Sequence, residues 1–159
     1  MKVLVSACTI GCNCKYNGKN NRNEAVVEYL RDKEVISICP EALENMGTPR
    51  PCAEIVDGVV MNENGKNVDA EFRNAVELAL EQIKGEAIDL AILQSRSPTC
   101  GVNRIYDGTF SGKLIPGQGL FAQALIQRGY RVVDAEDVSK MDTANSAPVL
   151  QEPSRERRY

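Results

Sequence analysis

Apolar residues in this chain fall in short runs separated by polar, glycine-containing stretches. Val3-Leu4-Val5 lies within Lys2 to Ser6, Val35-Ile36-Ser37-Ile38 follows Glu34, and Ile88 to Leu93 reads Ile-Asp-Leu-Ala-Ile-Leu. Runs of this length bounded by turn residues predict buried strands, and Arg131-Val132-Val133 predicts one more. Between them the spacing becomes helical. Asn23 is placed to cap a helix over about 24–33, with Val26, Val27 and Leu30 on its apolar side. Asp69 is expected to cap the clearest helix, about 70–84, where Phe72, Ala75, Val76, Ala79, Leu80 and Ile83 recur on one face and Gly85 stops the run. A last helix over about 119–128 turns Leu120, Phe121, Ala124 and Leu125 inward and ends at Gly129.

Two segments break this alternation. Ile55 to Met61 and Lys66-Asn67-Val68 flank Glu63-Asn64-Gly65, which predicts a small β-ribbon turning at Asn64-Gly65. Residues 104–112, with Tyr106-Asp107-Gly108-Thr109-Phe110-Ser111-Gly112, read as an extended glycine-rich insert of the kind that can act as a lid. Residues 141–159 show no periodicity, contain Pro148 and Pro153, and read as a C-terminal tail. Strand, helix and strand alternating in order require crossover connections. The predicted fold is therefore α/β: a single-domain, three-layer, Rossmann-like parallel sheet over residues 1–140 with a small β-ribbon insert.

A length of 159 residues suits one core, and a net charge of -3 argues against a broad phosphate-binding face, so nucleic acid is disfavoured and a small ligand preferred. No apolar run approaches the roughly 20 residues of a membrane span, and the N-terminus enters a strand at once, so a mature cytoplasmic protein is expected. Six cysteines in such a chain read as metal ligands or reactive thiols rather than as disulfides. The absence of histidine removes Ser-His-Asp triads, Cys-His dyads and Cys/His zinc sites.

Cys8 follows the first strand, Cys39 ends the second, and Cys100 lies in Ser95-Arg96-Ser97-Pro98-Thr99-Cys100-Gly101 after the third. Ligands of open α/β sheets gather at the carboxyl ends of strands, so three thiols delivered there form a convergent site. Soft thiolates select zinc, copper(I) or iron–sulfur clusters, and three of them leave one metal position open. Cys12, Cys14 and Cys52 could add a fourth ligand or a resolving thiol. Glu41 lies two residues beyond Cys39, and in an extended segment such positions face the same way. A carboxyl there can serve as general acid/base once burial raises its pKa toward neutrality. Ser97 is close enough to Cys100 to relay a proton, although capping its own turn is the commoner use of such a serine. Arg50 and Arg96 could pair with Glu41 or hold a polar ligand. A non-enzymatic iron–sulfur or zinc module for redox sensing or sulfur transfer, and a metal-free thiol enzyme using Cys100 with Glu41, remain open alternatives, as does a homodimer.

Together, Ser6-Ala7-Cys8 with Gly11 and Lys15-Tyr16-Asn17-Gly18, Cys39-Pro40-Glu41 with Thr48-Pro49-Arg50-Pro51, and Arg96 to Gly101 with Tyr106 to Gly112 resemble the thiouracil desulfidase family over about residues 1–138. The resemblance implies a 4Fe-4S cluster held by Cys8, Cys39 and Cys100, with Cys14 as the candidate extra ligand. It further implies non-redox desulfuration of a thiolated pyrimidine to the oxo base with release of hydrosulfide. By motif position Glu41 would activate water and Ser97 assist proton transfer, while Ser6, Arg50, Arg96 and Tyr106 are the candidates for substrate binding. Gln94 and Asn17 stand where the family more often carries lysine and aspartate, which bears on substrate preference. Longer members with an added domain act on thiolated RNA, so a free thiolated base or nucleoside is the expected substrate here.

Overall fold

The first strand, β1 (Lys2–Ser6), is buried along its apolar run because it lies inside a parallel sheet, with β2 (Glu34–Ile38) on one side and β5 (Leu90–Leu93) on the other. A computed structural model describes residues 1–141, and in it β8 (Val132–Asp134) completes the sheet in the order β2-β1-β5-β8. Strands covered on both faces need apolar side chains in both directions. Val3 and Val5 accordingly join Leu90 and Ile92 in one core with α1 (Glu24–Leu30) and the 3-10 turn Ala135–Lys140. Leu4, Ala91 and Leu93 face the other way, into α3 (Asp69–Ile83) and α4 (Leu120–Gln127). Truncating a fully buried leucine such as Leu93 to alanine would cost about 2–5 kcal/mol.

The chain leaves β1 for β2 by way of α1 and returns past β1 to β5 by way of α3 on the opposite face. The direction of winding thus reverses between β1 and β5, and the crevice above such a reversal is where open α/β sheets bind ligands.

The expected helices and central strands are present, with α1 shorter than the expected helix over 24–33. Asn23 caps α1, its Oδ1 accepting from Ala25 N at 3.0 Å and Val26 N at 3.3 Å. Asp69 does not cap α3. It is the helix's first residue, its own N–H is taken by Asn67 Oδ1, and its carboxylate accepts from Val60 N and pairs with Arg73. The predicted ribbon exists but turns elsewhere: β3 (Ala53–Val56) and β4 (Val59–Asn62) are joined at Asp57-Gly58, both with positive φ (50° and 80°). That is the backbone a two-residue hairpin requires, and an aspartate followed by glycine adopts it readily. Asn64-Gly65 makes a second turn, closed by the single Met61–Asn67 bridge. The segment after Cys39, expected to be extended, begins with a short helix, α2 (Pro40–Leu43). The glycine-rich insert is an antiparallel hairpin of β6 (Arg104–Tyr106) and β7 (Leu114–Pro116). The expected tail lies, from residue 142 onward, outside the described residues.

Candidate active site

Adjacent strands β2, β1 and β5 end at the same edge of the sheet and carry Cys39, Cys8 and Cys100 to one cavity of about 520 Å³. Cys39 immediately precedes α2, Cys8 lies in the 3-10 turn Ala7–Ile10 directly after β1, and Cys100 sits in the turn that follows β5. The three expected ligands are therefore brought together, over the point where the winding reverses.

The Cys100 turn is held by two glycines and a helix end. A Cβ on Gly101 would meet the carbonyl oxygens of Ser97 and Arg104 at 2.9 Å, so the turn folds back on itself only with glycine there. The first N–H groups of a helix have no partner within it, and here those of Leu120 and Phe121, with Gly119 ahead of them, donate to the carbonyls of Pro98, Thr99 and Gly101 at 2.8 Å each. Ser97 Oγ accepts from Thr99 N at 2.9 Å and Cys100 N at 2.8 Å. The serine thus stabilises its own turn while lining the cavity, and its hydroxyl hydrogen has no acceptor among the described residues.

Cys14 lies with its thiol against those of Cys8 and Cys39, and Cys12 reaches it from the exposed side. The contact with Cys14 pushes the Cys8 thiol down to about 7, helped by the Asn21 amide at 3.5 Å, against the opposing effect of burial. The same contact lowers Cys39, with the Ala42 backbone N–H and the Arg50 charge adding to it. Cys14 itself is pushed up by these two neighbours and by burial. Burial likewise raises Cys100, opposed by the hydroxyl of Ser6, whose Oγ also accepts from Gln94 N at 2.9 Å. Thiolate is the form that binds metal. Thiols of Cys8, Cys39 and Cys100 facing a common cavity suit a cluster with cysteine ligands.

Glu41 reaches the cavity from the first turn of α2, not from the extended segment expected. Nor is it a carboxyl isolated by burial. Arg50 donates to Oε1 through Nε at 3.2 Å and through Nη2, and Thr99 Oγ1 donates to Oε2 at 2.8 Å. Both oxygens act as acceptors, with the side chain 16% exposed. Arg50, expected at the substrate, also donates to Gly47 O and Cys14 O, so its guanidinium is part of the frame that holds Glu41 and the Cys14 loop. Arg96 is at the rim, half exposed, with Nη2 3.7 Å from Glu136 Oε1. Tyr106 and Ser6 line the wall. Thr99, Asn21, Glu54 and Phe110 were not found by sequence reasoning. Each touches a partner from another part of the chain or lines the cavity from an insert, and only Thr99 and Phe110 lay inside motifs that could have drawn attention to them.

The family model described as 2-thiouracil desulfurase matches residues 3–137. The chain is 37% identical over 150 residues to the uncharacterized protein YbbK of Bacillus subtilis (strain 168), covering 86% of this chain and 97% of that one. Among solved structures it is similar to the 4Fe-4S-dependent thiouracil desulfidase TudS, with a TM-score of 0.80, 33% identity, and coverage of 87% of this chain and 93% of the other.

Proposed function

The chain belongs to the 2-thiouracil desulfurase family, and from that premise we propose that it hydrolyses the carbon–sulfur bond of a thiolated pyrimidine, as free base or nucleoside. The observation that carries this reading is the meeting of Cys8, Cys39 and Cys100 at three adjacent strand ends, facing the cavity that Glu41 lines. The residues fit a 4Fe-4S cluster held by these three thiols, which when bound supplies a Lewis-acid iron able to polarise a thione. Overall a thione and water give the oxo base, hydrosulfide and a proton, with no net electron transfer.

Glu41 takes a proton from the attacking water. Arg50 and Thr99 hold its carboxylate in one orientation, so that no side-chain search precedes the proton transfer. Ser97 fixes the Cys100 turn as an acceptor and turns its hydroxyl hydrogen toward the ring or the departing sulfur. Ser6 and Tyr106 contact the substrate from the wall and Arg96 from the rim, whereas Arg50 acts through Glu41. In this reading Cys14 packs against Cys8 and Cys39 without serving as a ligand itself. Among the described residues no helix is long and apolar enough to cross a membrane, and the six thiols suit a reducing, cytoplasmic setting.

The test is anaerobic purification, with iron and acid-labile sulfide counted per chain and 2-thiouracil assayed for uracil and sulfide. About four of each per chain, as the cubane cluster requires, together with stoichiometric uracil and sulfide, are expected. A colourless protein after reconstitution, or a loaded protein that releases sulfide without forming the oxo base, overturns the proposal.

A further inference from the structure

Glu54 belongs to none of the motifs and has no part in the chemistry above. It lies on β3 with only 7% of its surface exposed, and it lines the cavity. An acidic side chain so deeply buried is held by strong donors. Its Oε1 accepts the backbone N–H of Gly108 at 3.0 Å and of Phe110 at 3.1 Å, both from the tip of the β6–β7 hairpin. The tip lies so close to β3 that a Cβ on Gly108 would fall 2.7 Å from Ile55 O, and Gly108 has a φ of 93° that suits glycine. Phe110 has a φ of 57°, an uncommon conformation for a bulky side chain and one kept only where surrounding contacts enforce it. Within the tip, Asp107 Oδ1 accepts from Thr109 N at 2.9 Å and from Thr109 Oγ1 at 2.6 Å. The tip is thus a pre-folded unit fastened to the body of the protein through one carboxylate.

The fastening decides where two aromatic rings go. Phe110 and Tyr106, on either side of the tip, both line the cavity that holds the thiols and Glu41. Aromatic faces lining a cavity suit a flat heteroaromatic ring. We propose that Glu54 is a positioning residue, a latch that holds Phe110 in its left-handed backbone conformation so that its ring forms one wall of the pyrimidine subsite. The latch acts through Phe110 and does not touch the reacting atoms. The identity of the ring rests on the desulfidase reading of the site, whereas the latch itself does not.

The experiment compares wild type with E54A, E54Q and F110L as cluster-loaded proteins, reading amide exchange across residues 104–116, iron per chain, and KM and kcat for 2-thiouracil. In E54A the protection of Gly108 and Phe110 is expected to fall about tenfold to a hundredfold, as for loss of a hydrogen bond to a charged group. KM is expected to rise about tenfold with kcat changed less and iron unchanged, as when ground-state and transition-state binding are lost together. E54Q, which keeps a carbonyl oxygen as acceptor, should recover most of the protection and of the KM. If E54A does not fold, the KM of F110L carries the test. F110L should reproduce the raised KM while leaving the Gly108 amide protected. Unchanged exchange in E54A, iron lost in step with activity, or an F110L with wild-type KM would each overturn the assignment. Wild-type protein that shows the exchange difference but releases no sulfide would support the latch and overturn the desulfidase reading.

Discussion

Gly119→Ala tests how tightly the Cys100 turn is bolted to the fold. Gly119 has a φ of -73° and a ψ of 168°, which alanine adopts freely, so the backbone itself imposes no penalty. The obstacle is space. A Cβ there would lie 2.4 Å from the Thr99 carbonyl carbon, 2.6 Å from its oxygen and 2.8 Å from Cys100 N. All three are backbone atoms and cannot rotate aside, so the start of α4 must retreat by about 1 Å to reach van der Waals separation. A retreat of that size takes the bonds from Gly119, Leu120 and Phe121 to the turn, now 2.8 Å each, beyond hydrogen-bonding distance. Overpacking at about 1–3 kcal/mol and three lost hydrogen bonds at about 1 kcal/mol each together predict a loss of about 4–6 kcal/mol. That is a large part of the total stability of a domain this size. Urea unfolding of the reduced, iron-free protein measures it. Gly117→Ala is the control, since its Cβ would meet only the Ile105 side chain, at 3.2 Å. The displaced turn also carries Thr99 and Cys100, so iron per chain after reconstitution should fall in G119A and hold in G117A. A G119A protein within 1 kcal/mol of its control that loads a full complement of iron would refute the reasoning.

Other substitutions separate framing from chemistry. Glu41→Gln should keep its iron while uracil formation falls by about 10²-fold or more, and unchanged turnover would remove Glu41 from the proton-transfer role. Thr99→Val removes the donor to Glu41 Oε2 without changing shape; kcat should fall with KM unaltered, and a change in KM alone would contradict it. Asn23→Ala should cost about 1 kcal/mol in urea unfolding through loss of the α1 cap. Asp134 is pushed above its ordinary 3.8, chiefly by burial, despite the bonds it accepts from Ser95 and Glu136 N. A raised carboxyl holds its proton longer in the folded state, so its contribution to stability is complete below the unfolded pKa and is lost as pH rises through the folded one. Asp134→Asn should remove that decline from the stability profile above about pH 4, and an unaltered slope would show that Asp134 does not titrate there.

Much of the fold was legible because local patterns carried it. The wholly apolar run at 90–93 could only be a strand covered on both faces, and Asn23 marked a helix start through a bond it makes two and three residues away. Where two local signals competed, the sequence did not settle the outcome. Asp57-Gly58 and Asn64-Gly65 both encode tight turns, and pairing of Val56 with Val59 made the first of them the hairpin. Asp69 had the composition of a cap, but Val60 N and Arg73 engaged its carboxylate.

The sequence by itself determined the alternation of strands and helices, and with it a parallel sheet whose strand ends carry Cys8, Cys39 and Cys100. Periodicity is written over neighbouring residues, so it is readable without knowing what lies across the fold. Only the tertiary structure decided what each side chain faces: that Arg50 holds Glu41, that Thr99 donates to a carboxylate 58 positions away in the chain, that Cys14 lies between two other thiols, and that Glu54 fastens a hairpin 54 positions distant. These pairings depend on which strands become neighbours and on where a cavity excludes water. Residue types and spacing narrow the candidates, but the partners are chosen by packing.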